Sequence, residues 1–125
     1  MEMNGFQQYK DQTINTMTQG ELLLLLYDEL VKRLVRASLE LDKELYEEFE
    51  SNVDRAGDIV RYLDRTLDRR YPIAMDLHKL YDFMCYDLSR VKFGRNRTEL
   101  ERVTRMSREL REAFQSAQKN NDSGK

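Results

Sequence analysis

The sequence predicts an all-α fold: an antiparallel up-down-up-down four-helix bundle with a short N-terminal capping segment. Long stretches carry apolar residues at alternating spacings of three and four, the periodicity of helices that pack on one side. Proline and glycine are scarce, with one and five residues among 125, whereas a sheet protein needs many turn residues. Charged residues make up 35% of the chain, which suits helices with solvated outer faces.

Length and charge narrow the class of protein. A chain of 125 residues forms one domain, residues 1–125, that is large enough to bury a core. The net charge of −2 gives no overall field that would attract nucleic acid or anionic lipid. The single cysteine, Cys85, allows no intrachain disulfide and favours a reducing compartment. The start of the chain lacks an apolar signal core, and the longest apolar run, residues 22–27, is far below the roughly 20 residues of a membrane span. We therefore expect a cytoplasmic protein without membrane insertion.

Residues 1–17 form a predicted detachable segment ahead of the bundle. Phe6, Tyr9 and Ile14 give a weak apolar pattern of the kind seen in a short helix. An isolated helix of this length is unstable in water. We therefore expect these three side chains to act as a removable cap that docks on the bundle.

The first helix has the clearest start in the sequence. Thr18 and Glu21 have the spacing of a capping box, and the helix is predicted from about Gln19 to about Leu41. Its core line is Leu23, Tyr27, Leu30, Leu34, Ala37 and Leu41, and Leu24, Val31 and Val35 widen it toward a second neighbour. This heptad-like spacing predicts neighbouring helices that cross at about 20°.

The second helix is predicted from about Glu44 to about Arg69. Its core line is Tyr46, Phe49, Val53, Ala56, Val60, Leu63 and Leu67. Pro72 disfavours helical geometry at the residue before it and suits the first turn of a new helix. A tight reversal at residues 70–72 therefore makes the second and third helices antiparallel.

The third and fourth helices complete the predicted bundle. The third runs from about Pro72 to about Lys92, and Gly94 marks its end. Its predicted core line is Ile73, Leu77, Leu80, Met84, Leu88 and Val91. Thr98 and Glu101 repeat the capping-box spacing at the start of the fourth helix. The fourth core line is Leu100, Val103, Ser107, Leu110, Phe114 and Ala117, and residues 119–125 are predicted to be a disordered tail.

The sequence contains no motif that indicates a catalytic or metal site. A carboxylate-bridged di-metal site in a bundle needs Glu-x-x-His, but Met75 stands three residues before His78, the only histidine. Cys85 lies about 10 Å along the helix from His78, too far for a thiol–imidazole nucleophile. The glycines are scattered and form no phosphate loop. We therefore predict no catalytic residue, metal site or cofactor, and a protein that is not an enzyme.

Apolar residues outside the core lines suggest a binding surface. Seven tyrosines and no tryptophan leave more aromatic edge than one bundle needs, and tyrosine suits surfaces that alternate between water and a partner. The residues predicted to line a groove for a partner helix are Ile59, Tyr62, Tyr81, Phe83 and Met106.

A basic concentration between Arg90 and Arg105 supports an alternative. It comprises Arg90, Lys92, Arg95, Arg97, Arg102 and Arg105. Such a patch would suit a nucleic-acid or acidic-protein binding module. It is also compatible with nothing more than a solvated helix end.

The order of several short motifs resembles one known family. They are Tyr9, Ile14-Asn15-Thr16, Gly20-Glu21-Leu22, Leu26-Tyr27, Leu63 with Thr66-Leu67, Leu80-Tyr81-Asp82-Phe83-Met84, and Glu109-Leu110-Arg111-Glu112-Ala113-Phe114. Over residues 6–118 this pattern is similar to the flagellin-binding export chaperones of bacterial flagella, the FliS family.

The resemblance implies a chaperone of type III secretion in bacterial flagellum assembly. Members bind the C-terminal helical segment of flagellin in the cytoplasm, prevent premature polymerisation and help deliver it to a component of the export gate. The resemblance also implies an N-terminal stretch that caps the hydrophobic site and is displaced by the partner. A helical adaptor for another export substrate is a further alternative.

Overall fold

The computed structural model describes residues 17–123, with side chains up to residue 120. The predicted cap residues Phe6, Tyr9 and Ile14 lie outside the described residues. Within residues 17–123 there are four helices and no strand: α1 (Gln19–Asp42), α2 (Tyr46–Arg65), α3 (Ile73–Gly94) and α4 (Arg97–Ser123). The all-α four-helix bundle is confirmed.

The helices form a ring in which each packs against two neighbours. α1 packs against α2 and α4. α3 lies diagonally opposite α1 and packs against the same two helices. Gly20 at the start of α1 lies beside Gln118 near the end of α4, whereas Arg97 at the start of α4 contacts Ser38 near the end of α1. The α1 and α4 helices are therefore antiparallel.

The start of α1 agrees with the sequence prediction. The Glu21 N–H donates to Thr18 Oγ1 over 3.1 Å, and the Thr18 N–H donates to Glu21 Oε1 over 3.2 Å. This capping box satisfies backbone donors that have no partner within the helix.

The buried core follows the predicted lines on three helices. The members contributed by α1, α2 and α4 are Tyr27, Leu30, Leu34, Ala37, Phe49, Val53, Ala56, Val60, Leu63, Leu100 and Val103. Leu23, Leu41, Leu67, Leu110 and Phe114 pack against this cluster while half-buried, and Ser107 is buried as predicted. Ala117, at the end of the α4 line, is exposed.

The α3 core line differs from the prediction at two of its six positions. Ile73 is 62% exposed, and Leu80 packs half-buried at the edge of the core, as the correctly predicted Leu77 also does. Ala74 and Tyr81 are buried instead. The line that faces the core is Ala74, Leu77, Tyr81, Met84, Leu88 and Val91, which keeps the alternation of three and four.

Three helix ends also differ from the prediction. α2 ends at Arg65, not near Arg69. At the start of α4, the Glu99 N–H donates to Asn96 Oδ1 over 3.0 Å, so Asn96 is the capping residue and the predicted Thr98–Glu101 box is wrong. The short amide side chain of asparagine is among the best acceptors for this role. α4 continues to Ser123, past the predicted start of the tail at Lys119.

None of the described helices is both long and apolar enough to span a membrane.

Candidate functional site

A recess with a mainly apolar lining and a volume of about 330 Å³ lies between α1 and α4. We call it the α1–α4 groove. Its lining residues are Leu34, Val35, Ser38 and Leu39 from α1 and Leu100, Glu101, Thr104, Arg105 and Arg108 from α4. The groove runs along the axes of these two antiparallel helices. A partner helix can lie along such a groove with its apolar face inward.

The floor of the groove is apolar. Leu34 and Leu100 belong to the core and are almost completely buried, Val35 is half-buried, and Leu39 is 55% exposed. The Thr104 hydroxyl donates to the Leu100 carbonyl over 2.7 Å, so its proton is satisfied within α4. The floor therefore offers apolar area without a demand for new hydrogen bonds.

The rim of the groove is basic on the α4 side. Arg105 and Arg108 are exposed, and neither makes an ion pair with a described residue. Glu101 is the acidic member of the rim. At one end of the groove, Arg97 Nη1 donates to Ser38 Oγ over 3.2 Å, and the same guanidinium is paired with Asp42. The groove thus combines an apolar floor with two guanidinium groups that have no partner among residues 17–120.

Tyr81, which we predicted to line a partner groove, lies in the core. Its side chain is only 3% exposed, and its hydroxyl is hydrogen-bonded to that of Tyr27 over 2.5 Å. A buried phenol needs such a partner. Tyr81 therefore contributes to the bundle interior and is not available at the surface.

The other predicted groove residues do not form one surface. Ile59 is half-buried on α2 and borders a shallow depression with Glu29 and Arg33 of α1. Tyr62 is exposed beside Arg65, whose guanidinium lies 5.9 Å from the ring centroid. Phe83 on α3 is 43% exposed, and Arg102 of α4 lies 5.5 Å from its ring centroid. Met106 packs half-buried against the core from α4. Ile59 and Phe83 are thus on opposite sides of the bundle.

The α1–α4 groove was only partly visible in the sequence. Val35 stood out because it widens the α1 core line, and Leu39 lies four residues later on the same helix face. The residues across the groove could not be identified, because periodicity does not give the register of α4 against α1.

The basic patch of the alternative prediction is largely neutralised. Four of its cations pair with carboxylates: Arg90 with Glu99, Lys92 with Asp54, Arg97 with Asp42 and Arg102 with Asp87. A fifth, Arg95, stacks on Tyr46 with its guanidinium carbon 3.5 Å from the ring centroid. Phosphate binding would require these cations to exchange their present partners, so the nucleic-acid alternative is not favoured.

Cys85 and His78 do not form a nucleophilic pair. His78 Nδ1 is bonded to Asp64, and Cys85 is half-buried on the same helix. Burial raises the pKa of the Cys85 thiol, although the nearby Arg61 acts in the opposite direction. A protonated thiol is a poor nucleophile, so this pair supports no acyl-transfer site.

One cluster of side chains was missed at the sequence level. Asp64, His78 and Asp82 place ligand atoms within 4.8 Å of one another, although the Glu-x-x-His criterion indicated no metal site. The chain separation of 14 residues between Asp64 and His78 crosses the α2–α3 turn, so a motif within a single helix could not reveal it.

Comparison with known proteins relates the chain to one family. The family model described as "Flagellar protein FliS" matches residues 2–121. The protein named "Flagellar secretion chaperone FliS" from Bacillus subtilis (strain 168) is 26% identical over 114 residues. That alignment covers 91% of this chain and 86% of the relative, so the similarity extends over the whole bundle.

Proposed function

The chain belongs to the FliS family of flagellar proteins, and on this basis we propose that it is a flagellar secretion chaperone without enzymatic activity. Its proposed substrate is the C-terminal helical segment of flagellin, which it binds in the cytoplasm before export. Covering that segment prevents premature polymerisation and keeps the subunit competent for type III secretion. The export gate is a proposed second partner.

The observation that carries this proposal is the apolar floor of the α1–α4 groove. An amphipathic helix released from its own assembly exposes an apolar stripe that would otherwise self-associate. Leu39 and Val35 provide apolar area for that stripe at the surface, while Arg105 and Arg108 suit acidic side chains beside it. The bound helix therefore replaces a contact that flagellin subunits would otherwise make with each other.

We also propose that residues 1–17 act as a removable cap. Phe6, Tyr9 and Ile14 would cover apolar surface in the free chaperone and leave it when the partner helix binds. The weak apolar pattern of this segment supports the proposal, because a short amphipathic segment holds its place only through docking. Deletion of residues 1–16 should then increase the rate of partner association and leave the bundle folded.

Peptide binding tests the main proposal. A peptide of the C-terminal flagellin segment should bind with measurable heat in calorimetry and gain helicity in circular dichroism, whereas a peptide from the N-terminal region should do neither. An absence of both signals with the C-terminal peptide would contradict the assigned substrate.

A pair of leucine substitutions tests whether the α1–α4 groove is the binding surface. Leu39→Glu places a charge on the groove floor and should weaken peptide binding at least tenfold. Leu45→Glu is the matched control, because Leu45 is similarly exposed at 45% and lies outside the groove lining. Equal effects of the two substitutions would assign the peptide to another surface.

Salt dependence separates this proposal from the alternative based on residues 90–105. Burial of an apolar helix face, with two arginine contacts at its rim, should lose only a little affinity between 50 and 300 mM salt. A phosphate-binding or acidic-protein site would lose affinity steeply over the same range. Steep salt dependence, together with insensitivity to Leu39→Glu, would favour the alternative.

A further inference from the structure

Two helices bring a histidine and two aspartates together at the end of the bundle that holds the α2–α3 turn. Asp64 lies in the last turn of α2, and His78 and Asp82 lie four residues apart on α3. His78 Nδ1 is 2.7 Å from Asp64 Oδ1, and His78 Nε2 is 3.5 Å from Asp82 Oδ2. Asp64 and His78 are half-buried and Asp82 is exposed. Solvent and small ions can therefore reach the cluster.

The hydrogen bond to Asp64 determines which ring nitrogen of His78 carries the proton. An ionised carboxylate can only accept a hydrogen bond, so Nδ1–H is the donor to Asp64. In a neutral imidazole, Nε2 then carries a lone pair. The Asp82 carboxylate, a second acceptor, lies 3.5 Å from that nitrogen. Two acceptors at 3.5 Å repel each other unless a proton on Nε2 or a metal ion lies between them.

We propose that His78 Nε2 and Asp82 Oδ2 bind a divalent transition metal ion, with Zn²⁺ as the best-suited example. Zinc bonds of about 2.0–2.1 Å in tetrahedral geometry separate adjacent ligand atoms by about 3.3 Å. The observed 3.5 Å is close to this spacing. The spacing of four residues on one helix face holds both ligands on the same side of α3, and water completes the coordination.

Asp64 is a positioning residue in this site. Its bond to Nδ1–H fixes the ring orientation and makes Nε2 a better electron donor, as second-sphere carboxylates commonly do for metal-bound histidines. Arg69 Nη2 lies 4.0 Å from Asp64 Oδ1 and balances part of the charge of that carboxylate. The metal would thereby link α2 to α3 through His78.

The ligand set determines which ions the site prefers. Imidazole favours zinc, copper and nickel, whereas magnesium and calcium prefer a complete shell of oxygen ligands. Cys85 is the other candidate for a soft ligand on α3, but its sulfur is not among the ligand atoms that come together in this cluster. The site therefore uses one nitrogen and one oxygen from the protein.

The test is a titration of the full chain, free of any affinity tag, with ZnCl₂ at neutral pH. His78 is the only histidine, so its ring resonances in NMR report on this site alone. We expect saturable 1:1 binding that shifts the Nε2 signal. A thermal unfolding midpoint about 5 °C higher is expected when free Zn²⁺ is tenfold above its dissociation constant. MgCl₂ at the same concentration should change neither signal.

Matched variants identify the ligands. Asp82→Asn should weaken Zn²⁺ binding at least tenfold, Asp64→Asn should weaken it about tenfold, and His78→Gln should abolish the thermal shift. Asp76→Asn is the control, since it makes the same chemical change on an exposed residue of α3 outside the cluster. Cys85→Ser should leave binding unchanged.

Several results would overturn the proposal. They are an absence of Zn²⁺ binding, an NMR response that reports protonation of His78 only, an equal effect of Asp76→Asn, or loss of binding in Cys85→Ser. Unfolding in EDTA identifies any variant that fails to fold. The conservative amides at positions 64 and 82 keep the side-chain volumes, so a loss of zinc affinity in a folded amide variant supports the assignment.

Discussion

The hydrogen bond between Tyr27 and Tyr81 is the polar contact that crosses the bundle interior from α1 to α3. Burial raises the pKa of both phenols. For Tyr27 the hydrogen bond from Tyr81 acts in the opposite direction, and for Tyr81 the neighbouring Tyr27 and Asp64 raise the pKa further. The fold therefore favours the neutral, hydrogen-bonded pair.

Removal of one of these hydroxyls should destabilise the bundle more than removal of both. Tyr27→Phe or Tyr81→Phe should each lower the free energy of unfolding by about 1–3 kcal/mol, because the remaining hydroxyl is buried without a partner. The double phenylalanine variant should recover most of this loss. Urea unfolding at pH 8 measures all four proteins. Additive losses in the double variant would show that the hydroxyls act independently.

The same pair predicts a loss of stability in alkali. Since the folded pKa of each phenol lies above the unfolded value of about 10, the contribution is fully present below pH 10 and is lost as the pH rises beyond it. Unfolding between pH 9 and 12 should therefore show a steeper decline for the wild type than for the double phenylalanine variant. Parallel curves would indicate that other groups cause the alkaline loss.

At the scale of the helices, α1 and α2 could be predicted because their apolar residues fit one line each. Most of the α3 line could be predicted as well, but the burial of Tyr81 could not, since the adjacent residues Leu80 and Tyr81 both suit a core position. The choice between them depends on Tyr27, a partner on another helix. The α1–α4 groove and the Asp64–His78 contact likewise depend on how two helices are placed, and a pattern within one helix does not contain that information.

The α1–α2 connection contains a residue in the left-handed backbone region. Glu44 has a φ of 60° and an exposed side chain. A residue with a Cβ atom pays about 1–2 kcal/mol in this conformation, whereas glycine adopts it readily. This strain could not be predicted from the sequence, because no glycine or proline marks the turn.

Glu44→Gly should therefore raise the free energy of unfolding by about 0.5–1 kcal/mol, the relief of strain less the added flexibility of the unfolded chain. Lys43→Gly is the matched control in the same turn. Its φ of −91° is ordinary for any residue, so this substitution should give no gain. Chemical denaturation of both variants measures the difference, and a stability for Glu44→Gly at or below that of Lys43→Gly would contradict the strain.

At the scale of the whole molecule, the interface between α3 and α4 is joined by two ion pairs. Arg102 donates two hydrogen bonds, of 2.9 and 2.8 Å, to Asp87, whose side chain is only 1% exposed. Arg90 donates to Glu99 over 2.7 Å. This charged interface lies on the face of α4 opposite the α1–α4 groove, since the groove residues of α4 face α1. One side of α4 therefore packs within the bundle, and the other side carries the groove that we propose as the binding surface.

Substitution of the Asp87–Arg102 pair should separate these roles. Arg102→Met leaves the buried Asp87 carboxylate without its cation and should lower the thermal unfolding midpoint markedly. The double variant Asp87→Leu/Arg102→Met removes both charges and should recover most of the midpoint, because an apolar pair of similar size has no desolvation cost to offset. Flagellin-peptide binding by the double variant should match the wild type, in contrast to Leu39→Glu, which should fold normally and bind weakly.

A double variant that melts as low as Arg102→Met would show that Asp87 is held by contacts other than Arg102. If the refolded double variant lost peptide binding, the partner would depend on the α3–α4 face, and the α1–α4 groove could not be the complete binding surface.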